Sequence, residues 1–129
     1  MDQGVVASLG ESLRIYVNIA IYGIDGQRRP LRATLDTGFT EFLTLSGRAI
    51  DGLGLRQAGS SRMELGDSSV VYFESYLANV DWFGERRQIT VHRSESVPTI
   101  GMKLLAHNDI HIRAIHNGTV SIKPITNED

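Results

Sequence analysis

One carboxylate stands where an apolar run of the chain ends. Asp36 follows residues 31–35, which read Leu-Arg-Ala-Thr-Leu, and is followed at once by Thr37 and Gly38. A carboxylate at the end of a strand that enters a core is costly unless something pairs with it or uses it. Thr37 can hydrogen-bond to nearby backbone, and Gly38 permits a sharp turn that a side chain would block. This pattern indicates that Asp36 is one half of a catalytic pair.

A second element lies about 63 residues further along the chain. Residues 99–105 read Thr-Ile-Gly-Met-Lys-Leu-Leu, a strand-compatible segment followed by good helix formers. Between the two elements, residues 61–80 give the longest hairpin signal, with the turn Gly-Asp-Ser-Ser at 66–69. The rest of the fold must therefore position a carboxylate loop, a hairpin and a second motif.

Apolar and polar residues alternate along most of the chain, which predicts eight or nine short strands. Pro30 is expected at a sheet edge or a bulge, because proline has no N–H to donate to a neighbouring strand. Ser46 predicts the N-cap of a short helix that ends before Gly52, and residues 102–107 contain the more convincing helix. We therefore predict an all-β fold, either a small barrel or a closed sandwich.

Composition excludes several classes of function. The 129 residues have the length of one domain and include no cysteine, which excludes thiol catalysis, disulfides and zinc–thiolate sites. A net charge of −2 gives no electrostatic reason to expect nucleic acid or an anionic membrane as a partner. No apolar run is long enough to span a membrane, and the N-terminus does not read as a signal peptide. We therefore expect a cytoplasmic protein.

The histidines do not have the spacing of a metal site. His107 and His111 are four residues apart, but Asn108 and Asp109 interrupt the helix between them. We therefore expect scattered surface histidines, and neither a metal nor another cofactor. The four histidines are His92, His107, His111 and His116.

Together these parts resemble the retroviral-type, or retropepsin-like, aspartic proteases. That family has an apolar strand leading into Asp-Thr-Gly, then a flap hairpin, then an apolar-apolar-Gly segment followed by a short helix that ends in Leu-Leu. Here the corresponding parts are residues 33–38, 61–80 and 99–105. The resemblance covers a core of about residues 12–125 within a single domain, 1–129, and is closer to cellular, bacterial members than to viral ones. It implies a small closed β-barrel with a flap hairpin and one short C-terminal helix.

The resemblance also implies roles for individual residues. Asp36 would be the catalytic aspartate, and Thr37 would hydrogen-bond across a subunit interface. Gly38 would let the loop pass close to substrate, and Gly101 would lie behind the catalytic loop. The residues expected to contact substrate, from the flap and the cleft, are Phe39, Gly66, Asp67 and Ser68.

The sequence departs from the family pattern beside the catalytic loop. Phe39 is bulky where the family commonly has a small residue. The family often has an acidic residue after it, paired with an arginine that follows the glycine of the second motif. Those positions hold Thr40 and Met102, so both partners of that ion pair are absent together.

Peptide hydrolysis by this chemistry needs two carboxyl groups that share one proton and activate a water molecule between them. The chain contains a single Asp-Thr-Gly, so the second carboxylate should come from a second copy in a two-fold symmetric dimer. The resemblance places the active-site loops and the terminal segments, 1–10 and 120–129, in that interface. The expected activity is that of a homodimeric aspartic endopeptidase on peptide or protein substrates.

Two other interpretations remain open. A non-catalytic dimeric β-barrel could bind peptide or protein through the same cleft, which Phe39 and the absent ion pair favour. A small toxin- or antitoxin-like barrel without an active site is the weaker alternative, and it would be a monomer in solution.

Overall fold

The computed structural model describes residues 6–64 and 66–126. This part of the chain forms ten strands, two α-helices and one 3₁₀ turn at Glu11–Leu13. The α-helices are α1, Gly47–Leu53, and α2, Met102–Leu105. The strands are β1, Val6–Leu9; β2, Ile15–Tyr22; β3, Arg28–Leu35; β4, Leu43–Leu45; β5, Arg56–Glu64; β6, Val70–Trp82; β7, Glu85–Arg93; β8, Thr99–Ile100; β9, Asn108–Ile112; and β10, Val120–Pro124. The prediction of a mostly β protein is therefore confirmed.

Eight of the strands form one sheet. Their order is β1-β2-β3-β8-β4-β7-β6-β5, and an additional pairing of β2 with β6 joins distant parts of that order into a ring. β6 can serve both ends because its first residues pair with β5 and its last residues pair with β2. Strands β9 and β10 form a separate two-stranded sheet. The hairpin of β5 and β6 thus shares a strand with the ring.

The two motifs become neighbours through a parallel pairing. In β3 and β8, Thr34 lies opposite Thr99 and Leu35 lies opposite Ile100. β4 pairs with the other side of β8. The short β8 therefore fixes the end of β3, from which the Asp36 loop departs.

The core consists mainly of aliphatic side chains from the strands β2, β3, β4, β6, β7 and β8 of the ring. On β2 the alternating residues Val17, Ile19 and Ile21 are buried, as the period-two pattern predicts, and the small Ala20 between them is buried as well. Helix α2 adds Leu104 and Leu105, which are 0% and 2% exposed. Burial of such a side chain contributes about 1.5–3 kcal/mol, so α2 is tied firmly to the sheet despite its single turn.

Helix α1 is longer than its sequence suggested. The Ser46 hydroxyl accepts a hydrogen bond from the Ala49 N–H at 3.1 Å, which confirms the predicted N-cap. The prediction that the helix ends before Gly52 was wrong. It continues to Leu53, a buried residue, and ends at Gly54 in the left-handed conformation with φ 66°. Among the described residues, no helix has the length and apolar character that crossing a membrane requires.

Candidate active site

Asp36 begins a tight loop, residues 36–42, that links β3 to β4; we call it the Asp36 loop. The Asp36 N–H donates to the Ile100 carbonyl at 3.0 Å, which anchors the start of the loop to β8. The Asp36 Oδ1 accepts from the Gly38 N–H at 2.8 Å, and the Asp36 carbonyl accepts from the Phe39 N–H at 3.1 Å. The side chain stays exposed, so the loop presents an oriented carboxylate to solvent.

The second motif lies directly behind this loop. Three consecutive N–H groups donate to it: Gly101 to the Phe42 carbonyl at 3.1 Å, Met102 to Phe39 at 2.8 Å and Lys103 to Glu41 at 3.3 Å. A Cβ on Gly101 would overlap the carbonyl oxygens of Glu41 and Phe39, the latter at 2.5 Å. The close approach therefore requires glycine at position 101.

An ion pair also joins the Asp36 loop to α2. The Lys103 Nζ lies 3.0 Å from the Glu41 Oε1, with side chains 53% and 22% exposed. Thr40 and Met102 carry no charge. The Glu41–Lys103 pair joins the same two segments, because each of its residues directly follows one of these uncharged residues. The sequence did not reveal the Glu41–Lys103 ion pair, because the expected pair falls on Thr40 and Met102.

A cleft of about 420 Å³ separates the Asp36 loop from the hairpin of β5 and β6. Four of the predicted site residues line it, namely Asp36, Gly38, Phe39 and Gly66. The structure thus brings the candidate aspartate and the hairpin tip to the same cleft.

The other predicted site residues lie outside the lining of the cleft. Thr37 is exposed beside Asp36, and Gly101 is buried behind the loop. Asp67 accepts the Ser69 N–H at 3.0 Å within the hairpin turn, and hydrogen bonds from Ser69 lower the pKa of its carboxyl group. Ser68 takes a positive φ of 70° in that turn. Asp67 and Ser68 therefore shape the tip of the hairpin.

The cleft also contains a histidine that sequence reasoning placed on the surface. His92 is only 1% exposed, so that prediction was wrong for this residue, whereas the other three histidines are exposed. Neither ring nitrogen has a hydrogen-bond partner among the described residues. Burial lowers the pKa of the imidazole. Two smaller effects partly cancel each other, since the charge of Glu41 raises that pKa and the charge of Lys103 lowers it. A neutral, unpartnered imidazole therefore lies in the wall of the cleft.

His92 is buried because the hairpin of β5 and β6 packs over the face of β7 on which it lies. Val91 faces the core, so its neighbour on β7 must face the opposite side of the sheet. There the ring of Phe73, from the hairpin, meets the His92 ring edge-to-face with centroids 6.4 Å apart. The alternation of β7 could have shown which face His92 takes, but not that a hairpin covers that face.

Among the residues that the structure describes, no group of three or more histidine, aspartate or glutamate side chains is placed to hold a metal ion. The chemistry that the described site offers comes from the Asp36 carboxylate and the polar wall of the cleft.

The chain matches none of the protein-family models, curated proteins or solved structures with which it was compared. Its function therefore has to be inferred from the geometry of the Asp36 loop and the cleft.

Proposed function

We propose that the protein is a retropepsin-like aspartic endopeptidase that acts as a homodimer. One observation carries the proposal: an oriented, exposed carboxylate lies in a loop braced by the second motif and faces a hairpin across a cleft. A cleft of about 420 Å³ has room for side chains of an extended peptide, and the hairpin is placed to cover it.

The architecture supports the same family assignment. Ring closure by β2 and β6, with a hairpin that extends from the ring over the Asp36 loop, is consistent with a small closed β-barrel of the retropepsin type. The parallel pairing of β3 with β8 is consistent with the way such a barrel would hold its catalytic loop against the second motif.

The proposed mechanism joins the Asp36 carboxyl groups of two copies around a two-fold axis. Two carboxylates this close cannot both ionise, so the pair shares one proton. The ionised group takes a proton from a water molecule held between them as the water oxygen attacks the scissile carbonyl carbon, and the protonated group donates its proton to the carbonyl oxygen. When the C–N bond of the resulting tetrahedral intermediate breaks, the dyad returns a proton to the leaving nitrogen, which departs as the amine. The Gly38 N–H, bonded to Oδ1, would keep each carboxyl group in its orientation during these transfers.

Exposed apolar side chains beside the loop support a second copy as the partner. Met102, whose N–H bonds to the Asp36 loop, is 43% exposed, and Val97, just before β8, is 53% exposed. Exposed apolar side chains in these positions are compatible with a surface that a second copy covers.

Asp36→Asn is the direct test. The variant should fold and dimerise as the wild type does but should not cleave a peptide library between pH 4 and 7, as followed by mass spectrometry. Asp51→Asn, the same chemical change at an exposed position of α1 outside the cleft lining, is the matched control and should retain cleavage. Cleavage by the D36N variant would show that Asp36 is not catalytic.

A non-catalytic dimer that binds peptide through the same cleft is the second candidate. The half-buried Phe39 side chain favours it, because this bulky ring lines the cleft beside Asp36. A purified wild-type dimer that binds library peptides without turnover at any pH would establish this function instead.

A further inference from the structure

A row of polar side chains crosses the sheet beneath the cleft. Thr99 of β8 lies opposite Thr44 of β4, Thr44 lies opposite His92 of β7, and His92 lies opposite Ser75 of β6. Thr44, Ser75 and His92 are buried, at 8%, 4% and 1% exposed. Directly opposed residues share one face of a sheet, so these four side chains form a continuous polar row.

The polar row belongs to the same cleft as Asp36. Thr99, Thr44 and His92 all line the cleft, together with Ser94, which lies two residues beyond His92. One wall of the cleft is therefore built from hydroxyl and imidazole groups.

Within this row, Thr44 has a hydrogen-bond partner for its side chain, whereas His92 has none among the described residues. The Thr44 Oγ1 accepts a hydrogen bond from the Thr99 N–H at 3.0 Å. Both nitrogens of His92 are enclosed without a partner in the described chain. A neutral imidazole carries one donor and one acceptor, and enclosing both unpaired costs free energy that a bound partner would restore.

Phe73 packs against His92 and lines the same cleft. Its half-buried ring meets the imidazole at an interplanar angle of 87° and lies on the hairpin strand β6. A turn of the Phe73 side chain, or a shift of the hairpin, would uncover the part of the imidazole that Phe73 contacts. A ligand side chain could then take the place of the aromatic edge.

We infer that His92 is the specificity-determining residue of a polar subsite beside Asp36, which takes an uncharged side chain that both donates and accepts a hydrogen bond. The carboxamide of glutamine or asparagine has this chemistry, as does the hydroxyl of serine or threonine. A charged side chain fits less well, because an enclosed site would strip its water, and a carboxylate would also meet Asp36 and Glu64. The inference rests on the proposed peptidase function.

The test compares cleavage profiles of the homodimer on a peptide library that varies each position around the scissile bond. At one position, the wild type should prefer glutamine, asparagine, serine or threonine to leucine by about tenfold in kcat/KM, which corresponds to a single well-placed hydrogen bond. His92→Leu should abolish that preference, and His92→Gln, which keeps a donor and an acceptor, should retain it. The matched control His111→Leu, at an exposed histidine of β9, should leave the profile unchanged.

An H92L variant with the wild-type profile would overturn the inference and leave the peptidase proposal standing. If the wild-type protein itself does not cleave, the peptidase proposal fails, and binding decides the inference. The ¹⁵N resonances of His92 in the wild-type protein are then followed with N-acetylglutamine amide and N-acetylthreonine amide, against N-acetylnorleucine amide. A shift with either polar probe and none with norleucine supports the subsite and identifies its preferred group. Equal shifts, or none, would overturn it.

Discussion

Gly101→Ala should weaken the fold more than any other single methyl addition to the described site. The new Cβ would overlap the Glu41 carbonyl oxygen and lie 2.5 Å from the Phe39 carbonyl oxygen, where ordinary contact starts at 3.4 Å, so the backbone must retreat by roughly 1 Å. Overpacking of this kind costs about 1–3 kcal/mol. The same retreat weakens three backbone hydrogen bonds to the Asp36 loop, each worth about 0.5–1.5 kcal/mol. We expect a total loss of about 3–5 kcal/mol in the free energy of unfolding.

Urea-induced unfolding measures this loss, followed by the fluorescence of Trp82, which is the single tryptophan and is buried. Gly52→Ala is the matched control, since a Cβ there has no neighbouring atom within 4 Å and lies inside α1. That variant should gain about 0.5–1 kcal/mol through helix propensity. A loss of less than about 1 kcal/mol for Gly101→Ala would show that the Asp36 loop adapts freely and is not braced by the second motif.

Three further predictions concern individual contacts. Ser46→Ala should cost about 1 kcal/mol of unfolding free energy in the urea assay, because the Ala49 N–H loses its cap; no loss would contradict the cap. Burial lowers the pKa of His92 below its ordinary 6.5, so as pH falls the unfolded chain binds a proton at this residue before the folded chain does. Its contribution to stability therefore falls as pH drops below about 6.5. His92→Leu should flatten that part of the stability–pH curve, and parallel curves for the two proteins would refute the assignment. A double-mutant cycle of Glu41→Gln with Lys103→Met should give a coupling of about 0.2–1 kcal/mol that shrinks in 1 M salt, and a coupling above 2 kcal/mol would contradict a solvent-screened pair.

Local sequence pattern predicted the strands better than their arrangement. The alternation in β2 predicted the burial of Val17, Ile19 and Ile21 but not that of Ala20, and the proline rule predicted an edge or a bulge for Pro30. β3 pairs with β8 only at Thr34 and Leu35, so Pro30 lies where β3 has no second neighbour. The pairing of Ala20 with Asp81, which closes the ring, had no local signal because it depends on residues far apart in the chain.

The site followed the same division. Asp36 and Gly101 could be assigned to one site because two short motifs carry strong constraints on residue type and order. His92 could not, because a histidine on an outward-facing strand position looks the same whether solvent or the ring of Phe73 covers it. Predicting the ion pair of Glu41 with Lys103 would have required knowing how α2 aligns with the Asp36 loop, and backbone hydrogen bonds set that alignment.

The bracing of the Asp36 loop by residues 100–103 has a consequence for the order in which the protein is made. A ribosome passes Asp36 long before it reaches Gly101, and at about 5–20 residues per second the delay is roughly 3–13 s. During that time the aspartate exists on a chain that lacks the hydrogen-bond acceptor of Ile100 and the donors of residues 101–103, which brace its loop. Under the proposed function, a nascent chain therefore carries the aspartate but no peptidase site until β8 and α2 have been synthesised and have paired.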